Sequence, residues 1–167
     1  MEKELLGITK SDIRVFLNEQ SSHAHTHIAN NPKLLSAVKK AIPTIRGEEA
    51  VIRVQIDTGG IVGTTDLVET TPEDEVVYAK RVARSVYSRF VKNKQTTPTT
   101  TIVIDIRRDR NSPTDYYLYT AYIGPLTPSF PGGNYLPEQS KEFWSTHALA
   151  WGTQEIIPGS ETTTCPW

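Results

Sequence analysis

Alternation of side-chain type restricts this chain more than any other feature. In residues 51–57, Val-Ile-Arg-Val-Gln-Ile-Asp, Ile52, Val54 and Ile56 share one face of an extended strand, and Arg53, Gln55 and Asp57 share the other. The pattern returns at 100–109, where Ile102, Ile104 and Ile106 face one way. The turn-forming stretch Arg-Asn-Ser-Pro-Thr-Asp then leads into Tyr-Tyr-Leu-Tyr-Thr-Ala-Tyr-Ile-Gly, 116–124, as the returning strand. Thr120 and Tyr122 project together there, so two hydroxyls share a sheet face. Strands with one apolar face need a second layer to cover it.

Two more regions extend the sheet. Asp57-Thr-Gly-Gly turns the chain, and residues 61–69, Ile-Val-Gly-Thr-Thr-Asp-Leu-Val-Glu, are the expected hairpin partner of 51–57. Residues 75–94 carry both helical and strand signals. Val76, Val77, Tyr78, Val82, Val86, Tyr87, Phe90 and Val91 are β-branched or aromatic, which favours two strands, 75–81 and 85–91.

Helical spacing appears near the two ends. Residues 9–20 predict a helix capped by Thr9 or Ser11, with Asp12 in its first turn and Ile13, Phe16 and Leu17 on one face. It continues through the histidines to Ala29. Pro32 opens a second helix with Leu34, Leu35, Val38 and Ile42 inward and Lys39 and Lys40 at its C-terminal end, and Pro43 stops it. A Pro/Gly-rich loop fills 125–137. A short helix capped by Ser140 then runs over 140–151, with Trp144, Leu149 and Trp151 as packing residues, and an extended tail follows. The expected fold is α+β: N-terminal helices packed on a single, mainly antiparallel sheet, with a short C-terminal helix. It forms one domain over 1–167, with a helical part at about 9–43, a sheet part at about 50–124, the loop at 125–137, and the C-terminal helix and tail at 140–167.

Composition excludes several function classes. The 167 residues suffice for a buried core, and 37% apolar with 22% charged residues is within the globular range. A net charge of −1 supplies no overall field for a polyanion, so any such site is local. The one cysteine, Cys165, allows neither an internal disulfide nor a cysteine zinc cage, and a cytoplasmic location is expected. No apolar run has signal-peptide or membrane-spanning length, so no membrane association is expected. Residues 57–66 lack a P-loop lysine, and neither Gly-x-Ser-x-Gly nor His-Glu-x-x-His occurs.

Three groups of residues can carry chemistry. His23, His25 and His27 stand at alternate positions in Ser21–Pro32. On a strand all three point one way; on a helix only His23 and His27 share a face. They fit a solvated helix face, an acid–base centre titrating near neutrality, or a metal site completed by His147 or a distant carboxylate. Residues 80–94 hold Lys80, Arg81, Arg84, Arg89, Lys92 and Lys94 with Tyr87 and Phe90 and no acid. Cations meeting phosphates and rings stacking on bases suit a nucleic-acid groove; the other reading is a solvated sheet face balanced by Glu73, Asp74 and Glu75. If Lys80, Arg81 or Arg84 lies beside Thr120 and Tyr122, hydroxyls and cations converge as a pentacoordinate phosphate requires. His147, among aromatics, is a buried hydrogen-bonded histidine unless it approaches the first cluster.

Several stretches together carry a resemblance: His-Ala-His-Thr-His-Ile-Ala-Asn-Asn-Pro at 23–32, then 63–81, then Tyr-Ser-Arg-Phe-Val-Lys at 87–92, then 117–132, then 140–152. With these the chain resembles a family of small uncharacterised bacterial proteins. It also resembles the microbial ribonuclease-toxin fold that groups barnase with the EndoU-type, colicin-type and RelE-type nucleases, in which helices precede an antiparallel sheet. There a His–Lys–Thr–Tyr set surrounds the scissile phosphate, with Thr-Ala-Tyr on a late strand. The resemblance implies that His25 or His27, Lys80, Thr120 and Tyr122 form that set here. The expected function is a metal-independent endoribonuclease that needs no cofactor and cleaves RNA by transesterification. His25 or His27 serves as acid or base, Lys80 with Arg81 or Arg84 stabilises the phosphate, Thr120 and Tyr122 orient it, and Tyr87, Arg89 and His147 contact substrate. The alternatives are a non-catalytic module that binds a protein or ligand through the proline-rich loop and the Trp/Tyr-rich C-terminal third, and a histidine-based metal-dependent hydrolase.

Overall fold

Alternation prevails over helical spacing at the start of the chain. In the computed structural model, which describes residues 3–167, β1 (Glu4–Ile8) and β2 (Arg14–Leu17) pair antiparallel where a helix over 9–20 is expected. Ile13, Val15 and Leu17, spaced by two, are all buried in one core. Asp12 has a φ of 62° and its N–H donates to the Thr9 carbonyl at 3.0 Å, closing a turn. A left-handed residue at that point ends any helix.

Among the described residues the chain forms eleven strands in three sheets and only three short helices. This corrects the expected plan of helices on a single sheet: the fold is mostly sheet. The chain also divides into two compact units, one made of the chain through Gly63 with Pro98–Leu126, the other of Thr64–Thr97 with Thr127–Trp167. No helix of the described residues is long and apolar enough to cross a membrane.

In the first unit β3 (Val51–Asp57) pairs antiparallel with β9 (Thr101–Arg108), which pairs antiparallel with β10 (Tyr116–Ile123); the order is β1-β2-β10-β9-β3. The alternation at 51–57 and 101–108 holds, and Ile52, Ile102, Ile104 and Ile106 enter the core. Residues 61–69 do not return along β3. They form β4 (Gly63–Thr65), which pairs with β8 (Thr97–Thr99) in a two-stranded ladder, and β5 (Leu67–Glu69), which joins the other unit's sheet. Helices α1 (Ser22–Asn30) and α2 (Pro32–Ala41) supply Ala24, Leu34, Ala37, Val38 and Ala41 to the same core. Pro32 opens α2 as expected. The Asn31 side chain accepts the Lys33 N–H there at 3.0 Å, which satisfies a donor that the helix leaves unpaired.

The second unit's sheet has the order β5-β11-β7-β6, with β6 (Val76–Lys80), β7 (Tyr87–Val91) and β11 (His147–Ala150). The two-strand reading of 75–94 is correct. The C-terminal helix is corrected at both ends: α3 runs Glu138–Thr146, Pro137 rather than Ser140 precedes it, and residues 147–150 are strand. Strand geometry pairs Leu149 with Phe90 and places it in a core with Val77, Ala79, Phe130 and Trp144. The Pro/Gly-rich loop contributes to that core through Phe130, which stacks on Trp144 at 3.8 Å. Gly132 is required there, because a Cβ would stand 2.6 Å from Val86 Cγ1.

Candidate functional site

The first unit builds its polar cluster from a defect in β10. The ladder with β9 slips between Leu118 and Thr120, so Tyr119 is an extra, bulged residue. Strict alternation would place Leu118 with Thr120 and Tyr122. The bulge instead sends Leu118 and Ala121 into the core and leaves Thr120 opposite Asp105 and Tyr122 opposite Val103. Thr120 and Tyr122 therefore do share a face, the one opposite the core.

That face carries charge. Arg53 stands directly across from Asp105 in the β3–β9 ladder, with its Nη1 3.5 Å from Asp105 Oδ2. Arg107 Nε donates to Asp105 Oδ1 at 3.1 Å. The Asp105 side chain is 1% exposed, whereas those of Arg53 and Arg107 are 45% and 35% exposed. Two guanidiniums thus share one buried carboxylate, and one positive charge is left over. Arg107's bonds to Asp105 raise its pKa further above the ordinary range. It also lies 3.5 Å from the centre of the Tyr119 ring, and Arg53 Nη2 donates to the Tyr122 hydroxyl at 3.4 Å.

Helix α1 brings the imidazoles. β2 pairs with β10 only at Tyr116 and Tyr117, and α1 packs against the remainder of β10. The His23 ring lies 5.3 Å from Tyr119 and the His27 ring 6.5 Å from Tyr122. Helical spacing puts these two histidines on one face, with Cβ atoms about 5–6 Å apart. Desolvation against the sheet and the neighbouring charge of His23 both lower the His27 pKa below the ordinary histidine value. His25 is half-buried and by its spacing stands on another face of α1.

The sequence-derived set is divided between the units. His25, His27, Thr120 and Tyr122 belong to the first; Lys80, Arg81, Arg84, Tyr87, Arg89 and His147 belong to the second. In the second unit most of the cations have partners. Arg81 Nε donates to Ser88 Oγ at 2.7 Å and Nη1 to Gln154 Oε1 at 3.0 Å. Burial, followed by the charge of Arg84, lowers its pKa. Arg89 donates to Thr70 Oγ1 at 2.8 Å and to the His147 carbonyl at 3.0 Å, while its buried Nε has no partner. Lys80 Nζ lies over the Tyr87 ring at 5.2 Å, and Arg84 is exposed in the β6–β7 turn. His147 stacks on Phe143 at 4.1 Å, and its Nδ1 lies 3.1 Å from the Phe143 carbonyl. Its packing is that of a structural histidine.

Sequence reading missed Arg53, Asp105, Arg107 and Tyr119. Each was visible as a polar or aromatic residue on a predicted strand. Their meeting depends on the β3–β9 register and the bulge, which no local pattern states. Among the described residues no group of three or more His, Cys, Asp or Glu side chains gathers to hold a metal ion. Comparison with protein-family models, with curated proteins and with solved structures finds no match for this chain.

Proposed function

We propose that the first unit cleaves RNA by metal-independent transesterification, with the 2′-hydroxyl attacking its own phosphate. The observation that carries this reading is that Tyr119 and Tyr122 are each flanked by a histidine of one α1 face and by one of the two guanidiniums that share a single buried carboxylate. His27, whose lowered pKa keeps it neutral near pH 7, removes the 2′-hydroxyl proton. His23, one turn away, protonates the leaving 5′-oxygen. Arg53 and Arg107 supply the positive charge that the pentacoordinate phosphate needs, and Tyr122 and Thr120 orient it. The phosphate-stabilising role expected of Lys80, Arg81 or Arg84 passes to these two arginines, which belong to the same unit as the histidines. The exposed, unpaired thiol of Cys165 suits action in the reducing cytoplasm.

The test is cleavage of a mixed-sequence labelled RNA in EDTA. Wild type yields 2′,3′-cyclic phosphate ends, and His27→Ala lowers the rate by about 100-fold or more. If wild type leaves the RNA intact, or if His27→Ala cuts equally well, the reading fails. A non-catalytic binding module then stands next, on the strength of Tyr135 and Leu136, exposed by 47% and 49% on the Pro/Gly-rich loop.

A further inference from the structure

A cleft of about 350 Å³ opens in the first unit between α2 and the end of β3. One wall is a single stripe of α2: Lys33, Ser36, Ala37, Lys40 and Ala41, spaced by three and four. The other wall is Ile56, Ile61 and Val62. Its volume is that of a small-molecule site, and its lining is largely apolar with a few polar groups at the edge.

Two observations indicate what it takes. Lys39, on another face of α2, pairs with Glu4 at 3.4 Å, whereas among the described residues neither Lys33 nor Lys40 has a carboxylate partner. They lie two turns apart, about 10 Å along the axis, and so flank the stripe with two charges outside any ion pair. The one carboxylate in the lining, Asp57, accepts the Gly59 N–H at 2.8 Å and keeps its charge, so the lining carries one net positive charge. At the same cleft Ile61 is 67% exposed, the most of any large apolar side chain among the described residues. An exposed isoleucine next to an apolar floor is unfavourable unless something covers it.

We infer that this cleft binds an amphipathic anion: one molecule from solution whose alkyl or aryl body lies on Ala37, Ala41, Ile56 and Ile61 and whose carboxylate or phosphate head lies between Lys33 and Lys40. The inference is independent of the nuclease reading, since the cleft uses none of the residues assigned to cleavage.

Decanoate and decyl phosphate, titrated into the full chain and followed by backbone amide NMR shifts, test it. Decyltrimethylammonium is the charge-reversed control, and vesicles of phosphatidylglycerol and phosphatidylcholine test for a membrane source. The expected result is saturable shifts confined to residues 33–44 and 56–62. Affinity falls about tenfold or more in K33E/K40E, a surface double variant, and also falls in Ile61→Ser. Any of four results overturns the inference: no saturable binding by either anion, equal binding of the cationic control, unchanged affinity in K33E/K40E, or binding to vesicles alone.

Discussion

Arg53 and Arg107 in the first unit share one carboxylate; Arg81 and Arg89 in the second have none in ion-pair contact among the described residues, yet they are the more fully engaged. Arg81 and Arg89 spend their donors on hydroxyl, amide and carbonyl oxygens that tie strands together. Arg53 and Arg107 keep donors at the surface beside the Tyr122 and Tyr119 rings. Charge density along a sequence therefore says little about which cations remain available to a ligand. The basic run at 80–94 is the denser of the two, and most of its side chains serve the fold.

The difference can be broken at its centre. Asp105→Asn leaves two guanidiniums facing each other without their buried counter-charge. A loss of about 3 kcal/mol is expected, the low end for breaking a buried pair because both arginines reach solvent. Chemical denaturation measures it, and a loss below about 1 kcal/mol means that solvent already screens the pair. Arg89→Met tests the other side. It removes two hydrogen bonds but also an unpartnered buried Nε, so about 1–2 kcal/mol is expected. A larger loss would mean that its two hydrogen bonds hold the second unit's strands more strongly than ordinary neutral-acceptor bonds do.

His27 sharpens the first side through pH. Its folded pKa lies below the ordinary value, so on acidification the unfolded chain binds the proton first. Stability is flat above the ordinary histidine pKa of about 6.5 and falls as pH drops through it toward the folded value. His27→Gln is expected to flatten that part of the profile. An unchanged profile places the titration elsewhere. The smallest effects belong to Lys92 and Lys94, which pair with Glu161 at 3.8 Å and Asp74 at 3.2 Å while more than a third exposed. Replacing either with alanine costs under about 1 kcal/mol, and less still in high salt.

Much of the sheet was legible. Ile52, Val54 and Ile56, and Ile102, Ile104 and Ile106, face the core as their spacing requires. Pro32 starts α2 because its ring suits the first helical turn. At residues 9–20, Ile13, Phe16 and Leu17 also satisfy a helical stripe, and only the turn at Asp12 and the partner strand β1 decide for extended chain. Of the candidate site residues, His27, Thr120 and Tyr122 share a unit with one another, but Lys80 does not.

Local side-chain chemistry by itself determined that residues 51–57 and 101–108 are extended and that a helix starts at Pro32, because β-branching, alternation and proline act within a few bonds of themselves, whereas within 9–20 and at 147–150 it pointed to helix where the chain is extended. Tertiary structure alone decided that β3 lies against β9 rather than residues 61–69, that Tyr119 bulges, and that Arg53 meets Asp105. Strand partnership and register depend on contacts summed over residues distant in sequence, and a slip of one position turns every side chain to the opposite face.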